Sequence, residues 1–258
     1  MNNELEFITP DWPAPASVKA AVTTRQGGSS EGPYASFNLA AHVGDDEQAV
    51  TLNRELLKAS LGLSAEPAWL QQTHSDTVVD AATYRGGDAD ASYCTQAGRA
   101  CVVLTADCLP ILLCNKQGNW VMAIHAGWQG FAKRIAEAAI ASYPGDKSDL
   151  LAWMGPAIGP QHFEVQGDVI EACTADLTAA QKKIFSKKCF KAVDGKDGYF
   201  LGDLYELGRQ RLHKCGVQNV YGGGLCTYAD AERFYSYRRD GAGGSQATGR
   251  MASLIWLV

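Results

Sequence analysis

Three short apolar runs follow one another closely in the middle of the chain, and they constrain the fold more than any other feature of the sequence. They cover residues 100–105, 111–114 and 120–125, are rich in Val, Ile and Leu, and are separated by turn residues. Runs of this length and composition are typical of buried β-strands. We therefore expect central strands here. Further strands are predicted at residues 17–24, 69–72, 77–79, 150–154, 219–222 and 251–258.

Helical patterns lie between these strands. Residues 46–61 are predicted to be helical, and a second helix is expected after Gly130. A third helix begins at Asp203, which fits a capping box with Glu206 at the third helical position. The Lys-rich segment 176–200 has weak periodicity and is expected to be a surface excursion. The mixture of elements predicts an α+β or α/β fold, and the lack of a linker predicts one domain over residues 1–258.

Composition narrows the classes of protein to which the chain can belong. Its 258 residues are 46% hydrophobic and 20% charged, which suits a globular core and excludes disorder. The net charge of −5 gives no basis for binding nucleic acid or an anionic membrane. No apolar stretch is long enough to cross a bilayer, and the N-terminus lacks a signal peptide pattern. We therefore expect a cytoplasmic protein with its eight cysteines reduced. We also expect a monomer, with a small molecule as its partner.

Five histidines make the search for reactive groups short. His213 lies near the end of a predicted helix, where a structural role is favoured. His42 and His162 lie in loops, and their roles stay open. His74 lies in a polar turn between two apolar strands, and His125 ends a strand directly before a Gly turn. Strand ends that lead into turns are common places for functional sites.

Cys108 is the third candidate, in a turn after an apolar run, where Pro110 is expected to end the strand pairing. It lies 34 residues after His74 and 17 before His125, so the three do not form a local metal-binding motif. Adjacent strands could still bring them together. The trio would suit either a Cys–His nucleophile or a catalytic metal site with two imidazoles and one thiolate. A buried cysteine near two hydrogen-bonded histidines is the structural alternative.

Several short motifs recur in a fixed order along nearly the whole chain. They are TRQGGS at residues 24–29, NL at 38–39, WLQQTH at 69–74, ADCLP at 106–110, HAGWQG at 125–130, GPAIG at 155–159, CT at 226–227, FYSYRRD at 234–240 and GRMAS at 249–253. The ordered set resembles the YfiH/laccase-domain family, whose members are also called polyphenol oxidases.

The resemblance implies a single α+β domain of mixed β-sheets flanked by helices. That fold is related to the cysteine-hydrolase fold of a bacterial cytotoxic toxin. The resemblance also implies one metal ion, usually zinc and with copper as the alternative, held by His74, Cys108 and His125. We expect these three residues to be catalytic, with Asp107 beside them to orient a neighbouring group.

Members of this family are described as purine nucleoside phosphorylases that act on adenosine, inosine and methylthioadenosine and also deaminate adenosine. Phosphorolysis needs an anion site, for which we expect Arg25, with Asn38 and Gln72 assisting and Arg238 as a further candidate. The enzymatic rival is an editing amidase that removes a wrong amino acid from a UDP-MurNAc peptidoglycan precursor. Laccase activity ranks lower, because five histidines are too few for several coppers. A purine-binding module without turnover is the non-enzymatic alternative.

The chain departs from the family at one position that bears on anion binding. Members commonly read His-Ala-Gly-Trp-Arg-Gly, whereas this chain has Gln129 in place of that arginine. Glutamine donates hydrogen bonds but lacks the charge and the planar fork of arginine. If the family's arginine contacts an anion, this protein is expected to bind that anion more weakly.

Overall fold

The apolar runs form strands of three β-sheets in the computed structural model, which describes residues 5–241 and 247–258. The strands are β1 (Phe7–Ile8), β2 (Val18–Thr23), β3 (Val78–Asp80), β4 (Ala91–Cys94), β5 (Cys101–Thr105), β6 (Leu109–Asn115), β7 (Val121–Ala126), β8 (Leu150–Met154), β9 (Glu164–Gln166), β10 (Phe190–Ala192), β11 (Tyr199–Gly202), β12 (Asn219–Gly222) and β13 (Met251–Leu257). The α-helices are α1 (Glu47–Ser60), α2 (Trp128–Ala132), α3 (Ile135–Ala141), α4 (Gly167–Thr174), α5 (Ala179–Cys189), α6 (Leu204–Lys214) and α7 (Tyr237–Asp240). The predicted fold class, mixed β-sheets flanked by helices, is confirmed.

The largest sheet has six strands in the order β12-β8-β6-β7-β4-β3. Its central strand β6 is antiparallel to both β7 and β8, whereas the outer pairs β12–β8 and β3–β4 are parallel. Every residue of β6, β7 and β8 is buried. Strands that are covered on both faces consist of continuous apolar runs, and for this reason the sequence predicted these three strands.

Pro110 does not end the pairing, as the sequence suggested, but lies inside β6 opposite His125. Its carbonyl still accepts a hydrogen bond from the Gly155 N–H at 3.0 Å. The N–H of His125 donates to the Asp90 carbonyl on the other side of β7 at 2.7 Å. Proline lacks only the backbone N–H donor, and its carbonyl still accepts a hydrogen bond here. It is therefore tolerated at the second position of this strand.

A second, four-stranded antiparallel sheet has the order β1-β2-β13-β5 and packs on one face of the six-stranded sheet. The first of the three central runs thus belongs to this sheet and not to the same sheet as the other two. Alternate β5 residues divide between two cores: Cys101 and Val103 face β6 and β7, and Val102 and Leu104 face α1.

Helices cover the opposite face of the six-stranded sheet. Leu204, Leu207 and Leu212 of α6 pack there with Phe131 of α2. The helix expected after Gly130 begins earlier, at Trp128, and is broken before α3 because Arg134 adopts a left-handed conformation with φ 70°. At the start of α6, the Asp203 carboxylate accepts from the Glu206 N–H at 3.0 Å, so the predicted N-cap is confirmed. The predicted capping box is not completed, because the Asp203 N–H donates to the Cys189 carbonyl at 2.8 Å and not to the Glu206 side chain.

Two further predictions of local structure need correction. The segment 176–200, expected as a surface excursion, is mostly exposed but has regular structure: it contains α5 with a complete capping box at its start, followed by the antiparallel pair β10–β11. Four lysines on α5 leave it only a narrow apolar side, where Phe185 and Cys189 are buried, and this weakens the helical pattern. Residues 69–72 form no strand. In this part of the chain, Ala68 pairs with Cys101 and Gln71 pairs with Asp88, each through an isolated bridge.

All eight cysteines are free thiols in this structure. Among the helices in the described part of the chain, none is long and apolar enough to span a membrane.

Arg211 of α6 joins three helical segments through a buried guanidinium whose side chain is 1% exposed. It donates to Glu137 at 2.7 Å, to both carboxylate oxygens of Asp176 at 2.9 Å, and to the Cys173 carbonyl. Burial would raise the pKa of Asp176, but hydrogen bonds from Arg211 and Lys214 hold it well below its usual range. The stability from this lowered pKa is present above about pH 4 and is lost as the pH falls further.

We predict that Arg211→Gln lowers the free energy of unfolding by about 3–5 kcal/mol, because it leaves two carboxylates without their buried counter-charge. Arg209→Gln on the same helix is the control, since Arg209 donates only to the Gly222 carbonyl at the surface, and a change of about 0.5 kcal/mol or less is expected. Urea denaturation near pH 7 measures both. Equal losses in the two variants would contradict the structural role given to Arg211.

Candidate functional site

The Asp90 carboxylate, which is fully buried just before β4, organises the site. It accepts hydrogen bonds from the backbone N–H groups of Thr73, His74 and Ser75 at 3.2, 3.1 and 2.5 Å, and from the Ser75 hydroxyl at 2.7 Å. It also contacts Nδ1 of His125 at 2.7 Å. Burial would raise the pKa of Asp90, but hydrogen bonds from His125 and Ser75 lower it to about 2. One ionised carboxylate thus ties the His74 loop to the end of β7.

The contact with Asp90 fixes the orientation of the His125 ring. We assign the proton to Nδ1, because that nitrogen faces a carboxylate that only accepts hydrogen bonds. In the neutral ring, the other nitrogen, Nε2, therefore presents its lone pair to the neighbouring side chains. A histidine held in this way by a carboxylate is the usual arrangement for a metal ligand.

His74, Cys108 and His125 come together although they are far apart in sequence. Their ligand atoms all lie within 4.8 Å of one another, and Sγ of Cys108 is 3.5 Å from Nε2 of His74. The two imidazole rings have centroids 4.8 Å apart. Two tight turns bring this about, since His74 and Asp107 both adopt positive φ angles, of 55° and 89°.

The three side chains also tune one another's ionisation. Burial would raise the pKa of the Cys108 thiol, but the imidazoles of His125 and His74 lower it below its ordinary value. Burial would lower the pKa of His125, but Cys108 and Asp90 raise it. Cys108 is thus favoured as a thiolate, which is the form that binds metal or attacks carbon.

Gly127, between β7 and α2, leaves the space that the trio needs. A Cβ atom there would lie 2.7 Å from Sγ of Cys108 and 3.0 Å from Cδ2 of His74. Any side chain at this position would push Cys108 and His74 apart.

The donor set of two imidazole nitrogens and one thiolate fits zinc, and it also suits copper. Among the described residues, this trio is the one group of His, Cys, Asp and Glu side chains placed to hold a metal ion.

Asp107 lies beside this group, but both of its oxygens are engaged within the protein. Oδ1 accepts from the Thr227 hydroxyl at 2.6 Å, and Oδ2 accepts from the backbone N–H of Arg238 at 2.7 Å. Its carboxylate therefore ties the start of α7 to the turn that carries Cys108. That Asp107 orients a neighbouring group at the site stays a prediction.

The trio forms part of the lining of a cavity of about 500 Å³. Much of the wall is apolar or aromatic, with Trp128, Phe163 and Tyr237 among the lining residues. The polar and charged side chains that line it, besides the trio and Asp107, include His42, Gln72, Gln129, Arg238 and Arg250. A concave site with apolar walls and a few convergent polar groups is typical of small-molecule binding.

Of the four residues expected to bind phosphate, Gln72 and Arg238 line this cavity. The Gln72 amide is occupied, since it accepts from the Leu104 N–H at 2.7 Å and donates to the Leu104 carbonyl at 2.8 Å. Arg238 donates through Nη1 to the Glu164 carbonyl at 3.0 Å.

Arg25 and Asn38 are not among the lining residues. Arg25 lies over the Tyr235 ring and donates to the Ala35 carbonyl at 3.0 Å. Asn38 is fully buried, and its Oδ1 accepts from the backbone N–H of Arg250 at 2.9 Å. Both therefore make structural contacts outside the cavity, which the position of Arg25 at a Gly-rich turn could not reveal.

Sequence reasoning missed Asp90 and Arg250. Asp90 ends the polar segment Gly86-Gly87-Asp88-Ala89-Asp90 directly before an apolar strand, which is a signal of the kind that drew attention to His125. Arg250 directly precedes β13, within the motif GRMAS. His42, whose role was left open, lines the cavity, whereas His213 is exposed on α6.

Residues 19–258 match the family described as multi-copper polyphenol oxidoreductase laccase. The chain belongs to this family. It is 48% identical over 253 residues to purine nucleoside phosphorylase PA4543 of Pseudomonas aeruginosa, covering 97% of this chain and 98% of the relative. It is 44% identical to purine nucleoside phosphorylase YfiH of Escherichia coli K12, covering 98% and 99% of the two chains. The resemblance inferred from the motifs is confirmed.

The fold of this laccase-family chain also matches solved structures. The crystal structure of Neisseria meningitidis protein NMB0706, described as DUF152, superposes with a TM-score of 0.88 at 45% identity, covering 97% of this chain and 98% of that one. The crystal structure of YlmD from Geobacillus stearothermophilus superposes with a TM-score of 0.87 at 30% identity, covering 97% and 96%.

We predict that Cys108→Ser takes up much less zinc on loading than the unmodified protein, because a hydroxyl is a far poorer ligand than a thiolate. Cys215→Ser is the control, since Cys215 lies at the end of α6 away from the trio. Metal content after zinc loading and desalting, measured by mass spectrometry, should be close to one ion per chain in the control. Equal zinc content in both variants would show that Cys108 is not a ligand.

Gly127→Ala is expected to disrupt the trio through the clash with Cys108 and His74, and so to lower the affinity for zinc. Gly167→Ala is the matched control, because the nearest atom to a Cβ there is 4.0 Å away. A chelator competition titration compares the two variants with the unmodified protein. Unchanged zinc affinity in Gly127→Ala would mean that the trio does not need this space.

Proposed function

We propose that the protein is a purine nucleoside phosphorylase that acts on adenosine, inosine and methylthioadenosine. The observation that carries the proposal is the His74–Cys108–His125 trio in the lining of a cavity with aromatic side chains in its wall. Similarity at 48% and 44% identity to proteins named purine nucleoside phosphorylase supports it. We place the enzyme in the cytoplasm as a monomer with one zinc ion, copper being the alternative metal.

In phosphorolysis, a phosphate oxygen forms a bond to C1′ of the sugar while the bond from C1′ to purine N9 breaks. The leaving purine takes the bonding electron pair and needs a positive charge or a proton nearby. A zinc ion held by His74, Cys108 and His125 would supply that positive charge when bound. The faces of Trp128, Phe163 and Tyr237 offer aromatic surface on which the purine ring can stack.

Asp90 and Asp107 support this reaction without touching the substrate. Asp90 holds the His125 ring in one tautomer and fixes the backbone of the His74 loop. Asp107 holds the start of α7 against the Cys108 turn, so that Tyr237 and Arg238 stay in the cavity wall. The chain thereby presents a prearranged site, which lowers the entropic cost of bringing phosphate and nucleoside together.

The same site supports two further activities that we include in the proposal. Adenosine deamination would be a side activity, in which water adds at purine C6 and ammonia leaves. The editing amidase is the second candidate, favoured by one specific observation: the Cys108 thiolate, His125 and Asp90 are arranged as in a cysteine nucleophile with its base and orienting carboxylate. Multicopper laccase chemistry is not supported, since one three-residue group in the described chain cannot hold several coppers.

The deciding experiment is product analysis of the zinc-loaded protein supplied with adenosine or inosine, with and without phosphate. We expect free base and ribose 1-phosphate, formed only when phosphate is present, and inosine from adenosine at a lower rate. A UDP-MurNAc precursor that carries a wrong first amino acid is supplied in parallel. Release of that amino acid without nucleoside cleavage would replace the phosphorylase by the amidase, and binding of purine without any turnover would leave a binding module.

Cys108→Ser separates the two roles of the thiol. We expect it to abolish turnover, and excess zinc to restore part of both zinc content and activity, because we assign Cys108 mainly as a ligand. His213→Ala, purified in the same way, is the control, since His213 is exposed on α6 outside the cavity. Activity that vanishes and is not restored at full zinc occupancy would identify Cys108 as a nucleophile. Full activity of Cys108→Ser would overturn the site assignment.

A further inference from the structure

Arg250 is held in place by its backbone at the edge of the cavity. Its N–H donates to Oδ1 of the buried Asn38 at 2.9 Å, and β13 begins at the next residue. The preceding residue, Gly249, lies against the Tyr235 ring so closely that a Cβ would be 2.5 Å from Cζ. The position from which the Arg250 side chain enters the cavity is therefore fixed by packing.

The Arg250 guanidinium has few partners of its own. Nη1 donates to the carbonyls of Thr248 and Gly249 at 2.8 and 3.0 Å, and the group lies 5.8 Å from the Tyr237 ring. Within residues 5–241 and 247–258, no carboxylate forms an ion pair with it, and no acceptor for Nε or Nη2 lies among these same residues. Burial lowers the pKa of Arg250 from its ordinary value, as expected for a cation partly removed from water.

A second guanidinium lines the same cavity. Arg238 follows Tyr237, donates through Nη1 to the carbonyls of Glu164 and His162, and lies over the Phe163 ring. Like Arg250, it forms no ion pair with a carboxylate in the described part of the chain. The one carboxylate among the lining residues, Asp107, has both oxygens engaged elsewhere.

The cavity therefore holds two arginines that form no ion pair among the described residues, although the charges of Cys108 and Asp107 act on Arg250 through space. The net charge of the whole chain is −5. Unpaired guanidinium groups at a cavity wall favour a ligand that supplies several acceptor oxygens. A tetrahedral oxyanion does so, and it matches the planar fork of N–H donors in a guanidinium.

We propose that Arg250, with Arg238, forms an oxyanion subsite that binds a phosphate group in this cavity. Arg25, which the sequence favoured for this role, lies outside the cavity, and Asn38 contributes by holding the Arg250 backbone. The subsite stands on its own geometry. Only the identification of its occupant as the attacking phosphate of a phosphorolysis rests on the proposed function.

The test is the dissociation constant of inorganic phosphate, measured by isothermal titration calorimetry on zinc-loaded protein without nucleoside. Arg250→Gln is expected to weaken binding at least about tenfold, because charge-assisted hydrogen bonds to the anion are lost. Arg250→Lys keeps the charge but not the fork and is expected to lose less. Arg25→Gln is the matched control and should stay within about twofold of the unmodified protein. Zinc content and thermal unfolding are checked in every variant.

A second titration with a nucleoside 5′-monophosphate distinguishes the source of the phosphate group. Arg250-dependent binding of inorganic phosphate supports a free phosphate occupant, and Arg250-dependent binding of the monophosphate alone supports a phosphate carried on the ligand. Since neither titration needs turnover, the subsite would survive a failure of the phosphorylase assay. Binding of both probes that is unchanged in folded, zinc-loaded Arg250→Gln, or lost equally in Arg25→Gln, would overturn the proposal.

Discussion

The buried Asp90 carboxylate is the interaction on which the rest of the site depends. It gathers three consecutive backbone N–H groups of the His74 loop and one nitrogen of His125, at distances between 2.5 and 3.2 Å. A buried carboxylate without such partners would be costly, so the loop and the strand end are held together by the requirement to satisfy its charge. The ligand atoms of His74, His125 and Cys108 converge as a consequence.

The sheet supplies the other half of the arrangement. Because β6 and β7 are antiparallel neighbours, the turn before β6 and the C-terminal end of β7 lie side by side, at the same end of these two strands. Cys108 occupies that turn and His125 that strand end, and Gly127 lets the chain enter α2 without filling the space between them. The segment that carries Tyr237 and Arg238 is fastened to the same turn through Asp107. Metal ligands, aromatic surface and cations therefore meet in one cavity.

The sequence predicted the parts of this structure that depend on local patterns. Buried strands such as β8 and the N-cap at Asp203 were located because apolar runs and capping residues act over a few positions. The trio was recognised from strand ends and from family motifs. The assignment of strands to separate sheets, the roles of Asp90 and Arg250, and the placement of Arg25 outside the cavity all depend on contacts between distant segments. No pattern along one chain encodes those contacts directly.

The measurement that tests the central claim most directly is the zinc affinity of Asp90→Asn compared with Asp88→Asn. Asp88 lies two residues earlier in the same loop but is exposed and accepts a hydrogen bond only from Gln71. If Asp90 assembles the ligands, Asp90→Asn should bind zinc about 10- to 100-fold more weakly, and Asp88→Asn should be unchanged. Equal zinc affinity in folded Asp90→Asn and Asp88→Asn would contradict the account.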